Sequence, residues 1–151
     1  MSEIEQPDIR PIEGGKYRLA ENYSYYWPPV QGNCRVTIPK GFVYDGASVP
    51  QWLWSITGLR PDGLIRAAAL VHDFFYRYGG KPPKGTIAKN YHNRWYQVPF
   101  RCTRKAADHF FFQIMEDFSM PWLKRTLAYR AVRLCGWYYW REKEGKTCVS
   151  L

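Results

Sequence analysis

The sequence lacks the features that mark several common protein classes. Residues 1–15 are polar and of mixed charge, without an apolar segment, so we expect no secretory signal peptide. No apolar run approaches the roughly 20 residues that cross a bilayer, so we expect no membrane span. No Gly-rich phosphate loop is present, which argues against nucleotide binding through a P-loop or Rossmann turn.

Cysteine and acidic residues are also scarce. The four cysteines are far apart and form no Cys-x-x-Cys pair, which argues against a zinc ribbon and favours free, mostly buried thiols in a cytoplasm. The chain has 13 Asp and Glu against 22 Lys and Arg, a formal charge of +9 in 151 residues. Residues 121–147 hold seven bases against two acids. Lys124, Arg125, Arg130 and Arg133 are therefore candidates for contact with nucleic acid or another anionic polymer, while a solvated face or an acidic partner subunit accounts for the same charge and is the interpretation that we favour.

The periodicity along the chain predicts an α+β fold, with a small N-terminal antiparallel β-sheet packed on about three C-terminal α-helices. Residues 1–15 are predicted to be a flexible arm, residues 16–147 a single domain, and residues 148–151 a tail. Alternating rings and polar residues predict the strands, at 16–27, 34–39 and 42–45.

Three helices are predicted after the strands, at 63–78, 103–118 and from 121 to about 141. Asp62 and Thr103 are the expected N-caps of the first two. The segment between them, 81–102, is predicted to be a long loop, basic and rich in aromatic residues, that lies over a site or a partner. The apolar stripe expected to face the core from the third helix is Leu123, Leu127, Ala131, Leu134 and Tyr138.

Polar side chains within apolar segments are the candidate site, because burying them is costly unless they are paired. They are Asp45, Ser48, His72, Asp73 and Asp108. In one interpretation Asp45, His72, Asp73 and Asp108 bind a divalent metal such as Zn, Mn or Mg, whose bound water attacks a phosphoryl or acyl centre. The adjacent His72-Asp73 resembles the metal-binding pair of HD-type phosphohydrolases, although the upstream His of that pattern has no match.

A structural interpretation accounts for the same residues. Asp45 would cap its own turn, Asp73 would pair with Arg77, and Asp108 would pair with Arg104 on the same helix. His72 would then be a core histidine that joins the strand loop to the helix. Such a buried network would lock the sheet onto the helices without any reaction.

A serine hydrolase is a weaker alternative. Ser48, His72 and an Asp are the residue types of a catalytic triad. However, Gly46-Ala47-Ser48-Val49-Pro50 lacks the Gly-x-Ser-x-Gly elbow, and its proline indicates a turn.

Three ordered elements resemble a phage and bacterial family known as domain of unknown function 1353. They are the strand and loop at residues 41–50, the helix segment Ala68 to Tyr76 with His72-Asp73, and Ala107-Asp108 followed by Phe111 and Met115. The closing helix at 129–136 is similar as well. The resemblance spans roughly residues 17–137 and implies an α+β domain of phage or prophage origin. Such a protein is expected to be made in the host cytoplasm, and a virion component would then be carried in the virus particle. It implies no established activity.

Two hypotheses follow. One is a virion-associated or accessory protein, a structural or binding module whose partners are other virion or phage proteins. The other is a small metal-dependent hydrolase of phosphoester or cell-wall substrates that uses the polar residues above.

Overall fold

A computed structural model of the chain describes residues 5–27, 33–44, 55 and 65–147, with side chains described as far as residue 140. The described strands are β1 (Ile9–Ile12), β2 (Lys16–Leu19), β3 (Tyr23–Trp27), β4 (Cys34–Ile38), β5 (Val43–Tyr44), β6 (Ile87–Tyr91) and β7 (Arg94–Gln97). The described helices are α1 (Arg66–Arg77), α2 (Arg104–Asp117) and α3 (Trp122–Thr147). Antiparallel strands at the N-terminal end and three helices at the C-terminal end confirm the predicted α+β class.

The strands form two sheets rather than the one that was predicted. The first sheet has the order β1-β2-β5 and the second has the order β3-β4-β6-β7, with every pairing antiparallel. The predicted strand at 16–27 is divided between the two sheets, because the chain leaves the ladder at Ala20. The Ala20 amide donates to the Asp8 carbonyl at 2.9 Å, and the Asn22 side chain accepts from the Lys40 amide at 2.8 Å.

The segment predicted to be a flexible arm, 1–15, contains strand β1 in its described part. Ile9 pairs with Leu19 and Ile12 with Lys16, which makes this segment the edge strand of the first sheet. The segment also contacts the start of α1, where the Ala67 amide donates to Gln6 Oε1 at 3.1 Å. A free amide in the first turn of a helix needs an acceptor, and Gln6 supplies it.

The core is built around α1. Every residue from Ala67 to Tyr76 is buried, so this helix is enclosed by the rest of the fold. Phe75 of this helix meets Phe110 of α2 at 5.4 Å between centroids, and Phe110 in turn meets Trp27 of the second sheet at 5.3 Å. The predicted cap of this helix, Asp62, lies outside the described residues.

The bounds of α2 match the prediction closely. Thr103 is its N-cap, as predicted, with the side-chain oxygen accepting from the Ala106 amide at 3.2 Å. The helix ends where Ser119 takes a left-handed conformation, φ 56°, and Pro121 then begins the approach to α3. The third helix continues to Thr147, beyond the predicted end near 141.

The predicted core-facing stripe of α3 was wrong. Ala131 is buried, but Leu123 is 62% exposed, Leu134 is 74% exposed and Tyr138 is 60% exposed. The side of α3 that faces the core carries smaller residues together with one large ring, namely Ala128, Ala131, Val132, Gly136 and Trp140. This helix has two apolar faces, and the one with mostly small side chains faces the core.

The predicted loop at 81–102 contains a hairpin. Strands β6 and β7 pair from Ala88 with Gln97 to Tyr91 with Arg94, and β6 extends the second sheet through β4. The two turn residues, His92 and Asn93, both have positive φ, 49° and 61°. This geometry suits the twist of a two-residue hairpin.

Within the described residues the cysteines Cys34, Cys102 and Cys135 are free thiols. Burial raises the pKa of the Cys102 thiol to about 12, so it stays protonated at neutral pH. Its backbone lies against Gly80, where any side chain would overlap the Cys102 carbonyl. Gly80 also has φ +75°, so this position requires glycine for both reasons.

Candidate functional site

The three helices bring one buried carboxylate together with four partners, a group that we call the Asp108 cluster. Asp108 and Arg104 come from α2, His72 and Tyr76 from α1, and Arg133 from α3. His72 and Tyr76 are four residues apart, as are Arg104 and Asp108, so each pair lies on one face of its helix. The site is therefore a junction of all three helices.

Both oxygens of Asp108 are occupied by donors from the protein. Oδ1 accepts from the Tyr76 hydroxyl at 2.5 Å and lies 2.8 Å from His72 Nε2. Oδ2 accepts from Arg133 Nη1 at 2.6 Å and lies 3.5 Å from Arg104 Nη1. The side chains of Asp108 and His72 are both fully buried. The carboxylate thus serves as the common acceptor of a closed network.

The cluster favours an ion pair between His72 and Asp108. Burial alone would lower the pKa of His72, but hydrogen bonds and charge from Asp108 and Asp73 outweigh it and raise that pKa above its ordinary value of 6.5. Burial would likewise raise the pKa of Asp108, but its contacts with His72, Tyr76 and Arg133 hold it below 3.8. Burial and the carboxylate together raise the pKa of Tyr76, which keeps its hydroxyl a donor.

Gly136 makes room for the Tyr76 hydroxyl on the side of α3. A Cβ built at Gly136 would overlap that hydroxyl. The ring of Tyr76 is completed by an edge contact with Trp140, at 5.1 Å between centroids, one turn further along the same helix. The core-facing side of α3 is therefore shaped around a residue of the cluster.

Comparison with known proteins identifies the family of this chain. The model of the family described as "Protein of unknown function (DUF1353)" matches residues 17–132. The chain belongs to this family. The search also found the "Uncharacterized protein y4jT" of Sinorhizobium fredii (strain NBRC 101917 / NGR234), which is 34% identical over 68 residues, covering 45% of this chain and 18% of that protein. No solved structure matches the chain.

The DUF1353 match includes most of the cluster. Its range covers α1 and α2, which carry His72, Tyr76, Arg104 and Asp108, and it ends at residue 132 within α3. Arg133 and Gly136 follow directly after it. The chain spans less than a fifth of the curated relative that it matches, so that relative says nothing here about a whole protein's activity.

The structure describes three of the five predicted site residues and brings these three together. His72 and Asp108 are in direct contact, and Asp73 Oδ1 lies 3.9 Å from His72 Nδ1. Asp45 and Ser48 lie outside the described residues. Sequence reasoning missed Tyr76 as a member, although its spacing from His72 was a usable signal. It also placed Arg133 with the residues that contact an external anion.

Two of the predicted structural pairings can be compared with the observed contacts. The Arg104–Asp108 pair is present, as predicted, one turn apart on α2. Arg77, the predicted partner of Asp73, donates from Nη2 to the Val43 carbonyl at 2.7 Å and lies over the ring of Phe42. His72 is a buried histidine, as that interpretation expected, and its Nε2 lies 2.8 Å from Asp108 Oδ1 of α2, while the strand loop that it was expected to join lies outside the described residues.

In the part of the chain that the structure describes, no group of three or more His, Cys, Asp or Glu residues is arranged to hold a metal ion. The predicted metal set includes Asp45, which lies outside that part. What the described residues show is a carboxylate whose lone pairs point at protein donors. This arrangement is suited to holding helices together.

The basic residues predicted to contact an anion have two different environments. Arg133 is bonded to Asp108, and Arg125 pairs with Glu116 at 3.1 Å. Lys124 and Arg130 are exposed on α3. Only these two of the four predicted residues are presented outward by the structure.

The hairpin carries a second surface of rings and cations. Arg35 of β4 lies over Trp95 of β7 at 4.6 Å, and Trp95 meets Tyr26 edge-on at 5.7 Å between centroids. Lys89 lies over Tyr91 at 5.2 Å. These rings already have partners within the sheet, which stiffens the hairpin and reduces its freedom to stack on a ligand.

Proposed function

We propose that this chain is a binding module, a virion-associated or accessory protein of a phage, in which the Asp108 cluster is a structural lock. One observation carries the non-catalytic part of the proposal: Asp108 is fully buried, and both of its oxygens already accept hydrogen bonds from the protein. A catalytic residue must touch its substrate, and a buried, saturated carboxylate has no free position to offer one.

The energetic role of such a cluster is to make the helix packing specific. Removing one partner of a buried ionic network leaves the others uncompensated, at a cost of about 3–5 kcal/mol. Because Asp108, Tyr76 and Arg133 come from three different helices, the cluster penalises any arrangement that separates them. The phage origin and the virion role rest on the family resemblance alone.

The test measures metal content and stability on the same samples. We would compare wild type with Asp108→Asn and His72→Gln, using elemental analysis for bound metal and urea unfolding for the free energy of unfolding. A lock predicts that both variants are destabilised and that metal content is the same in all three proteins. His109→Gln is the matched control, because His109 is the exposed neighbour of Asp108 on α2.

A small metal-dependent hydrolase is the second candidate. The observation that favours it is the His72–Asp73 pair, with the imidazole Nδ1 3.9 Å from the carboxylate and Asp73 not fully closed from solvent, at 7% exposure. The Val43 carbonyl is held by Arg77, and Asp45 follows Val43 by two residues in the sequence. One equivalent of metal in wild type, lost in Asp108→Asn while the fold persists, would overturn the structural proposal and support this one.

A further inference from the structure

Helix α3 presents an exposed face away from the core that is apolar apart from Arg130, and we call it the α3 outer face. Its members are Trp122, Leu123, Leu127, Leu134, Trp137 and Tyr138, with exposed fractions of 65%, 62%, 38%, 74%, 49% and 60%. At 1.5 Å per residue the face extends for about 24 Å. Single exposed apolar residues are ordinary, but a contiguous row of this length marks a surface that contacts something.

The charged residues of α3 are all basic as far as Arg141. No Asp or Glu occurs between Trp122 and Arg141 in the sequence. Lys124 and Arg130 are exposed on α3, and Arg130 lies within the apolar row, one turn from Leu127 and one turn from Leu134. The partner of this face must therefore accept apolar side chains together with positive charge.

A second copy of the chain fits this requirement poorly. In an antiparallel pair of outer faces, Leu127 would oppose Leu134, but each Arg130 would lie near the Arg130 of the other copy. No acid on this stretch could compensate. Like charges held close together are destabilising, so the charge pattern disfavours self-association.

Nucleic acid also fits poorly. A phosphate backbone is bound by rows of Lys and Arg, and bases stack on aromatic rings. Here most of the exposed side chains are apolar, and two of the nearby bases, Arg125 and Arg133, are paired with Glu116 and Asp108.

We propose that the α3 outer face docks on an anionic lipid bilayer and lies in the plane of its interface. Exposed Leu, Trp and Tyr side chains, together with Lys124 and Arg130, are the residue types with which helices of this kind bind the headgroup region of an anionic bilayer. Among the described residues no helix is long and apolar enough to cross a membrane. The proposal names the partner class of the binding module proposed above and rests on it.

The experiment measures binding of the full chain to vesicles by co-sedimentation. The probes are phosphatidylcholine vesicles and phosphatidylcholine vesicles with about a third phosphatidylglycerol. We expect wild type to bind the anionic vesicles at least about tenfold more tightly than the neutral ones, with the preference lost as salt is raised. The variant Leu127→Ser/Leu134→Ser should lose the binding, and Lys124→Gln/Arg130→Gln should lose the preference for anionic lipid.

The matched control is Tyr91→Ser/Tyr96→Ser, which removes two exposed rings from the hairpin and should bind as wild type does. Far-UV circular dichroism and urea unfolding verify that each variant is folded. The proposal is overturned if wild type binds neither vesicle, or if Leu127→Ser/Leu134→Ser binds both as before. It is also overturned by a dimer that dissociates in that variant, or by oligonucleotide binding that depends on Lys124 and Arg130 alone.

Failure of this proposal is distinguishable from failure of the proposed function. If wild type binds no lipid, the metal and stability results at the Asp108 cluster are unchanged. Conversely, one equivalent of metal at the cluster would overturn the structural role while leaving any lipid binding by the α3 outer face in place.

Discussion

The two sides of α3 have opposite relations to the rest of the molecule. On the inner side, Arg133 reaches Asp108 at 2.6 Å and Gly136 accommodates Tyr76, so polar groups are buried and paired. On the outer side, Leu134 and Tyr138 are apolar and exposed. The inner side thus adds a polar contact to a mostly apolar core, and the outer side is mostly apolar where a surface is normally polar.

This contrast separates stability from binding within a single helix. A buried ionic group is retained only when all of its partners are present, so the inner side should be sensitive to single changes. An exposed apolar side chain contributes little to folding, because it is solvated in both the folded and the unfolded chain. Mutations on the two sides should therefore affect different measurements.

The largest expected effect is on the inner side, at Asp108. Asp108→Ala removes the shared acceptor of His72, Tyr76 and Arg133 and should lower the free energy of unfolding by about 3–5 kcal/mol. Urea unfolding followed by circular dichroism measures the change. Asp108→Asn keeps an acceptor oxygen without the charge, so it should cost less. A loss below about 1 kcal/mol in Asp108→Ala would show that the cluster is not what joins the helices.

A smaller loss of stability is expected from a substitution at Gly136, which we compare with one at Leu134, two residues earlier on the opposite side of α3. Gly136→Ala places a methyl group against the Tyr76 hydroxyl, and we expect a loss of about 1–3 kcal/mol despite the better helix propensity of alanine. Leu134→Ala, on the exposed side, should change stability by less than about 0.5 kcal/mol. Thermal unfolding monitored by circular dichroism compares the two.

A double variant sharpens this comparison. Tyr76→Phe removes the hydroxyl that the new methyl group would meet, so its effect and that of Gly136→Ala should not add. Strict additivity of the two losses, or a gain in stability from Gly136→Ala alone, would contradict the close packing of α3 on Tyr76.

Local signals predicted the elements that depend on local chemistry. Thr103 capped α2 as expected, because an N-cap is decided by one side chain and the next few amides. The hairpin at 87–97 was missed because its turn, His92-Asn93, lacks the Asn-Gly or Asp-Gly pair that usually marks such turns. The strand β1 was missed because its pairing with β2 is not visible from its own composition.

The inward side of α3 could not be predicted from periodicity. A helical repeat shows that Leu123, Leu127, Leu134 and Tyr138 share a face, but it does not show which way that face points. The observed inner side includes Ala128, Val132 and Gly136, whose small size reflects the approach of α1. Similarly, the sequence identified His72 and Asp108 as unusual, but Arg133 is 25 residues beyond Asp108 and only the folded chain joins them.

The smallest expected effect is a pH dependence confined to the inner side. The raised pKa of His72 means that its contribution to stability is complete below its unfolded value of about 6.5 and is lost as pH rises through the folded value. The lowered pKa of Asp108 means that its contribution is complete above about 3.8 and is lost as pH falls through the folded value. The cluster should therefore stabilise the fold most between about pH 4 and pH 6.5.

Urea midpoints measured from pH 5 to pH 9 test this dependence. Wild type should lose stability toward alkaline pH, and His72→Gln should show a flatter profile because the titrating imidazole is gone. Leu134→Ser, on the outer side, and His109→Gln, on the exposed side of α2, should both follow the wild-type profile. Parallel curves for wild type and His72→Gln would mean that the imidazole is not charged beside Asp108. In that case Asp108 would be held by neutral hydrogen bonds from His72 and Tyr76 and by the charges of Arg133 and Arg104.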